Sequence, residues 1–294
     1  MGKRKSLHIG LNHVDPRQYG GWDGELSGCI NDANDMQAIA ISQGFEAEQL
    51  IDGEATLQAV KNKLDAYAGE LQAGDFLFLT YSGHGGQVPD QNGDEDDGYD
   101  ETWCLYDTEL VDDSLYGAIC TFKEGVRIFI MSDSCHSETV ARRIPGRDRI
   151  GAREERRAFV DEKAGPTSKR APLEATMAEY DKNKYKYEAQ KTWWTPTQMP
   201  RADCPAKVVL ISGCLDEQTS MDGNGNGAFT EAFLKVWKTN GNGYRKTYKD
   251  LQLDVRTAIE NSEQLPGFFA YGVDVATMKA QMPFSDENAD VPVA

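Results

Sequence analysis

Apolar runs of strand length recur at residues 7–11, 76–81, 126–131 and 207–212, with a weaker one at 268–273. Several are apolar at consecutive positions rather than at every second one, as Val126, Ile128, Phe129, Ile130 and Met131 show. Successive side chains of a strand point to opposite faces, so such a run must be covered on both sides, the situation of a parallel sheet between helices. Helical spacing fills the intervals: Leu57, Val60, Leu64, Tyr67 and Leu71, then Phe229, Phe233, Val236 and Trp237, then Tyr248, Leu251, Val255 and Ile259. Alternating strand and helix predict an α/β fold with a mainly parallel central sheet and helices on both faces.

A chain of 294 residues, 39% hydrophobic and 10% aromatic, supplies the core for one large domain or two small ones. Its net charge of -17 repels nucleic acid and anionic membranes and draws basic ligands or metal cations. No stretch approaches the length of a membrane span, and the basic start Met1–Ser6 runs directly into the first strand, so neither a span nor a signal peptide is expected. Cys29, Cys104, Cys120, Cys135, Cys204 and Cys214 form no Cys-x-x-Cys pair, and the four histidines add no zinc-type spacing. A chain of this size needs no staples, so the thiols are expected reduced and the compartment cytoplasmic. No organic cofactor motif is present.

Two segments break the alternation. Residues 90–101 hold seven acidic side chains and no basic one, which predicts a polar loop. Residues 141–206 are a polar excursion, rich first in Arg and later carrying Pro166, Pro172, Pro196 and Pro200; a loop of that length is functional or disordered.

Ligands of α/β sheets bind at the carboxyl ends of the strands. The run at 76–81 ends in Ser82-Gly83-His84-Gly85-Gly86, and the run at 126–131 ends in Ser132-Asp133-Ser134-Cys135-His136-Ser137. A His and a Cys at neighbouring strand ends suit a dyad, in which the imidazole takes the thiol proton, the thiolate attacks a carbonyl, and the imidazolium protonates the leaving amine. The N–H groups of Gly85 and Cys135 are placed to form an oxyanion hole. A lone Cys is more often a small core residue and a lone His a satisfied polar one, but here they stand 51 residues apart, as in a known peptidase pattern. His136 ranks below His84 as the base, because adjacent residues seldom face each other.

On Tyr81–Gln87 and Asp133–Ser137, in this order and spacing, the sequence resembles the metacaspases, the caspase-like cysteine peptidases of bacteria, plants, fungi and protists. Further matches are Gly28–Ala33, Tyr99–Glu101 and Ile211–Ser220, so the resemblance covers nearly the whole chain except residues 141–206. It implies a caspase-like three-layer sandwich in one domain: a large-subunit-like half over 1–140, a basic linker or insertion over 141–206, and a small-subunit-like half over 207–294. It also implies His84 and Cys135 as the dyad and cleavage after Arg or Lys in peptide or protein substrates. The acidic specificity pocket maps onto Asp32 and Asp133, with Cys29 and Ser82 beside them. Charge agrees with this, since paired carboxylates hold a guanidinium and repel an Asp side chain. The plainer readings are an N-cap for Asp32 and a turn residue for Asp133.

Many metacaspases need calcium, and the matching positions are Asp100, Asp112 and Asp113. Glu138 and Arg142 depart from the family pattern after the Cys. They leave open a second class of function, a catalytically silent caspase-like module that binds basic peptides or partners. The Arg and Lys residues crowded into 141–170, close behind Cys135, predict self-cleavage there. The oligomeric state is not legible.

Overall fold

The structure, a computed structural model, describes residues 2–90, 98–135, 168–193, 203–214, 221–222, 225–239, 241–259 and 264–286. Its main sheet has the order β2 (Glu46–Ile51), β1 (Arg4–Gly10), β3 (Phe76–Ser82), β7 (Arg127–Asp133), β8 (Lys207–Ser212) and β9 (Gly267–Tyr271). All neighbours are parallel except β9, which runs antiparallel to β8 at the edge.

The continuous apolar runs divide by strand alternation into two cores. Leu7, Ile9, Leu77, Leu79, Ile128, Ile130, Val208 and Leu210 face α2 (Leu57–Glu70) and α3 (Asp112–Cys120). Phe76, Phe78, Phe129, Met131, Val209 and Ile211 face α1 (Cys29–Ser42), α5 (Ala228–Thr239) and α6 (Tyr248–Ala258). Layers of helix, sheet and helix result, the three-layer sandwich expected from the sequence. No helix among the described residues is long and apolar enough to cross a membrane.

A second, antiparallel sheet of β4 (Gly85–Pro89), β5 (Tyr99–Cys104) and β6 (Glu109–Val111) leaves the end of β3. It corrects the loop expected over 90–101 at Tyr99, Asp100 and Glu101, which are strand. Asp100 and Glu101 lie within β5, opposite Val88 and Gln87 of β4, and both are buried. Backbone pairing, which does not depend on side-chain polarity, carries these acidic residues into the fold; residues 91–97 lie outside the described set.

The polar excursion also contains structure. Helix α4 (Leu173–Trp193) lies against the small sheet: Gln190 accepts from the Val111 N–H and donates to the Glu109 carbonyl. Its buried face is mostly polar. Glu179 accepts from Thr108, Tyr187 and Asn183, while Glu109 accepts from Thr102. Burial holds both carboxyls above the ordinary range, and Glu179 adds to the rise at Glu109. A carboxyl raised by folding contributes stability that is present below its unfolded value near 4.5 and is lost as pH rises through the folded value. Glu109→Gln, neutral throughout, is therefore expected to gain in melting temperature relative to wild type as pH rises from about 4.5. A difference that stays constant with pH would contradict this.

Candidate active site

Strands β3 and β7 pair in register through Ser82 and Asp133. Two residues further along each strand stand His84 and Cys135, both buried, at the same end of the sheet. Sequence spacing thus becomes proximity through strand register.

Several contacts fix His84. Its carbonyl accepts from the Tyr81 hydroxyl at 2.7 Å and from the Cys104 N–H at 3.0 Å. The Trp22 ring meets the imidazole edge-on, with centroids 4.6 Å apart. Nε2 lies 3.1 Å from the Gly24 carbonyl, whose only available role is acceptor, so the proton sits on Nε2 and Nδ1 carries the lone pair. Among the described residues Nδ1 has no hydrogen-bond partner. Burial pushes the imidazole down to about 4, so it is a neutral base at pH 7. Gly24, with φ of +64°, carries no sequence signal of this role, which its backbone carbonyl performs.

Gly85 is pressed against the other residue of the pair. A Cβ added there would lie 1.7 Å from the Cys135 carbonyl oxygen, a contact that only displacement of backbone relieves. Gly85→Ala is expected to cost at least about 1–3 kcal/mol by overpacking, read as a lower melting temperature. An unchanged melting temperature would show that the two strand ends are not locked together.

The acidic pocket is assembled from both halves of the chain. Asp32 lies in the first turn of α1, whose N-cap is Gly28, so it is not the N-cap itself. Ser82 Oγ donates to Asp32 Oδ2 at 2.6 Å, and the Gly227 N–H donates to Asp32 Oδ1 at 2.9 Å. Asp133, the last residue of β7 rather than a turn residue, accepts from Thr230 Oγ1 at 2.9 Å. Cys29 is fully buried, and its thiol is pushed up to about 12 by that burial, so it lines the site as a neutral group.

The pocket is filled by the chain itself. Lys169, completely buried, places Nζ 3.1 Å from Asp32, 3.0 Å from Asp133 and 2.9 Å from Ser82 Oγ. Burial alone would favour the neutral amine, but the Asp133 and Asp32 carboxylates outweigh it and hold Lys169 well above its ordinary value, hence charged. For Asp32, burial raises the carboxyl, Lys169 pulls it back, and Asp133 adds to the rise. The Lys169 backbone is extended beside β4. Its carbonyl accepts from the Gly85 N–H at 2.9 Å, the Ala171 N–H donates to the Gly85 carbonyl at 2.8 Å, and Ser168 bridges to Met221 on the other side. A Cβ on Gly227 would lie 2.3 Å from Lys169 Nζ and 2.4 Å from Asp133, so a bare glycine is what lets the ammonium in.

Asp112 and Asp113 stand in the first turn of α3, and Asp100 on β5. Among the described residues no group of three or more His, Cys, Asp or Glu is gathered so as to hold a metal ion. The acidic residues Asp94, Glu95, Asp96 and Asp97, which precede Asp100 in sequence, lie outside the described residues. His136, Glu138 and Arg142 lie outside the described residues, as does 141–167 of the basic segment.

A family model described as Caspase domain matches residues 4–288. Metacaspase-1 of Candida albicans is 32% identical over 275 residues, covering 82% of this chain and 59% of that protein. Metacaspase-1A of Neurospora crassa is 31% identical over 291 residues, covering 88% and 60%. For Metacaspase-1 of Schizosaccharomyces pombe the identity is 30% over 303 residues, covering 90% and 67%. The chain thus spans about three-fifths of the length of the first two. Among solved structures, a protein of Geobacter sulfurreducens superposes with a TM-score of 0.81 at 39% identity, covering 97% of this chain and 99% of that one. Caspase-1 of Spodoptera frugiperda superposes with a TM-score of 0.50 at 9% identity, covering 98% and 93%, a likeness of fold alone.

Proposed function

The chain belongs to the caspase-domain family, in its metacaspase branch, and from that premise we propose that it is a cysteine endopeptidase that cuts after Lys or Arg. Lys169 carries this reading. A basic side chain between two carboxylates, with its carbonyl oxygen on the Gly85 N–H, is held as a peptidase holds a substrate at the residue before the bond to be cut. The first substrate is then the chain's own Lys169–Arg170 bond.

His84 Nδ1 takes the Cys135 proton, and the thiolate adds to the Lys169 carbonyl carbon. The resulting oxyanion is stabilised by the Gly85 N–H, with the Cys135 N–H as the second donor. The imidazolium, steadied through Nε2 by the Gly24 carbonyl, gives its proton to the Arg170 nitrogen as the bond breaks. Water, activated by His84, then releases the acyl group from sulfur. A silent module binding basic peptides would use the same pocket but has no need of a neutral imidazole and a thiol at neighbouring strand ends.

The proposal extends to a cytoplasmic enzyme acting on peptides or proteins with exposed Arg or Lys. Turnover of short fluorogenic peptides ending in Arg, Lys or Asp, each with and without calcium, tests it. Hydrolysis of the two basic peptides and not of the acidic one is expected, and the calcium arm reads whether Asp100, Asp112 and Asp113 serve a cation. Failure to turn over any of them, after Lys169–Arg170 has been cut by an added protease, would leave the silent module.

A further inference from the structure

Outside this site, two sulfurs meet. Cys120 ends α3, and Cys204 lies just ahead of β8; their Sγ atoms are 2.8 Å apart, nearer than unbonded sulfurs normally approach. A disulfide bond is about 2.05 Å long, so closing it needs a shift of less than an ångström. The backbone holds both partners in place. Phe122 N–H donates to the Ile119 carbonyl at the end of α3, and the Cys204 carbonyl accepts from Val273 just past β9. Cys204 is fully buried, whereas Cys120 retains 7% exposure at the rim of the same apolar cluster.

We propose that Cys120 and Cys204 form an oxidisable pair, closed by a small peroxide into a disulfide that fastens the end of α3 to the segment leading into β8. The thiolate of Cys120, the more exposed of the two, attacks hydrogen peroxide, becoming a sulfenic acid and releasing hydroxide. The thiolate of Cys204 then attacks that sulfur, forming the S–S bond and expelling a second hydroxide; with the two thiol protons, two waters leave and peroxide is the oxidant reduced. The bond spans a stretch that includes both Cys135 and the Lys169–Arg170 peptide. On the functional reading above, it would therefore keep the two cleavage products in one covalent molecule.

The test avoids that reading by using the full-length Cys135→Ala chain. After exposure to dilute hydrogen peroxide and blocking of remaining thiols with iodoacetamide in denaturant, the mass should show two alkylated positions fewer than the untreated protein. Peptide mapping should join the Cys120 peptide to the Cys204 peptide, and the melting temperature should rise and fall back on reduction. Cys120→Ser and Cys204→Ser should each abolish the joined peptide. Full alkylation of both residues after peroxide, or a bond joining either of them to another cysteine, would overturn the pair; self-cleavage enters neither outcome.

Discussion

Cys135→Ala is expected to lose hydrolysis of Arg- and Lys-ending peptides by about a thousandfold or more, because removal of a nucleophile disables the whole catalytic unit. The residue is fully buried and small, and alanine keeps its backbone against Gly85, so the variant should fold. His84→Ala should cost about 10²–10⁴-fold by removing the base, without moving the pocket that holds Lys169. Hydrolysis near wild type in Cys135→Ala would place the nucleophile elsewhere. Unaltered hydrolysis in His84→Ala would promote His136.

The second large effect is expected at the pocket. Asp32 accepts from Ser82, Gly227 and Lys169, three donors converging on one buried carboxylate. Removing one partner of a buried, hydrogen-bonded charge pair costs about 2–5 kcal/mol, so Asp32→Ala should lower kcat/KM for Arg peptides at least about tenfold. Self-cleavage after Lys169 should slow in step, because the same carboxylate holds the internal and the external substrate. The measurement is kcat/KM for Arg-ending and Asp-ending peptides side by side. Equal rates on the two in the wild type would refute the pocket.

Much of this frame could be read from residue order. The runs of β1, β3, β7, β8 and β9 are apolar on both faces, and α2, α5 and α6 carry apolar stripes, so burial and spacing agree there. Helix α4 is hard to read from sequence because Thr176, Glu179, Asn183 and Gln190, four of its six buried positions, are polar; hydrogen bonds to the small sheet supplement the apolar contacts of Ala175 and of Tyr187, which packs with Val88 and Val111. Strand β2 was missed for a related reason, since only Leu50 of its six residues is fully covered.

The site divides in the same way. His84, Cys135, Asp32 and Asp133 sit at strand ends or in a first helical turn, where position along an element fixes geometry. Gly24, Gly227 and Thr230 act through a carbonyl, an absent Cβ and a hydroxyl, and nothing in their local sequence announces that. Lys169 was one of ten basic residues in its segment. Its place three residues ahead of Pro172 does not single it out, since Arg142 and Lys163 stand equally far ahead of Pro145 and Pro166.

The identity of that lysine as the internal substrate is the centre of the account. Intact-mass analysis of purified wild type beside Cys135→Ala, followed over incubation with and without calcium and joined to N-terminal sequencing, tests it most directly. The account predicts that wild type yields fragments 1–169 and 170–294, with a new amino terminus at Arg170, while Cys135→Ala stays whole. The same fragments in both proteins, a first cut at another basic residue, or an uncut wild type would contradict it.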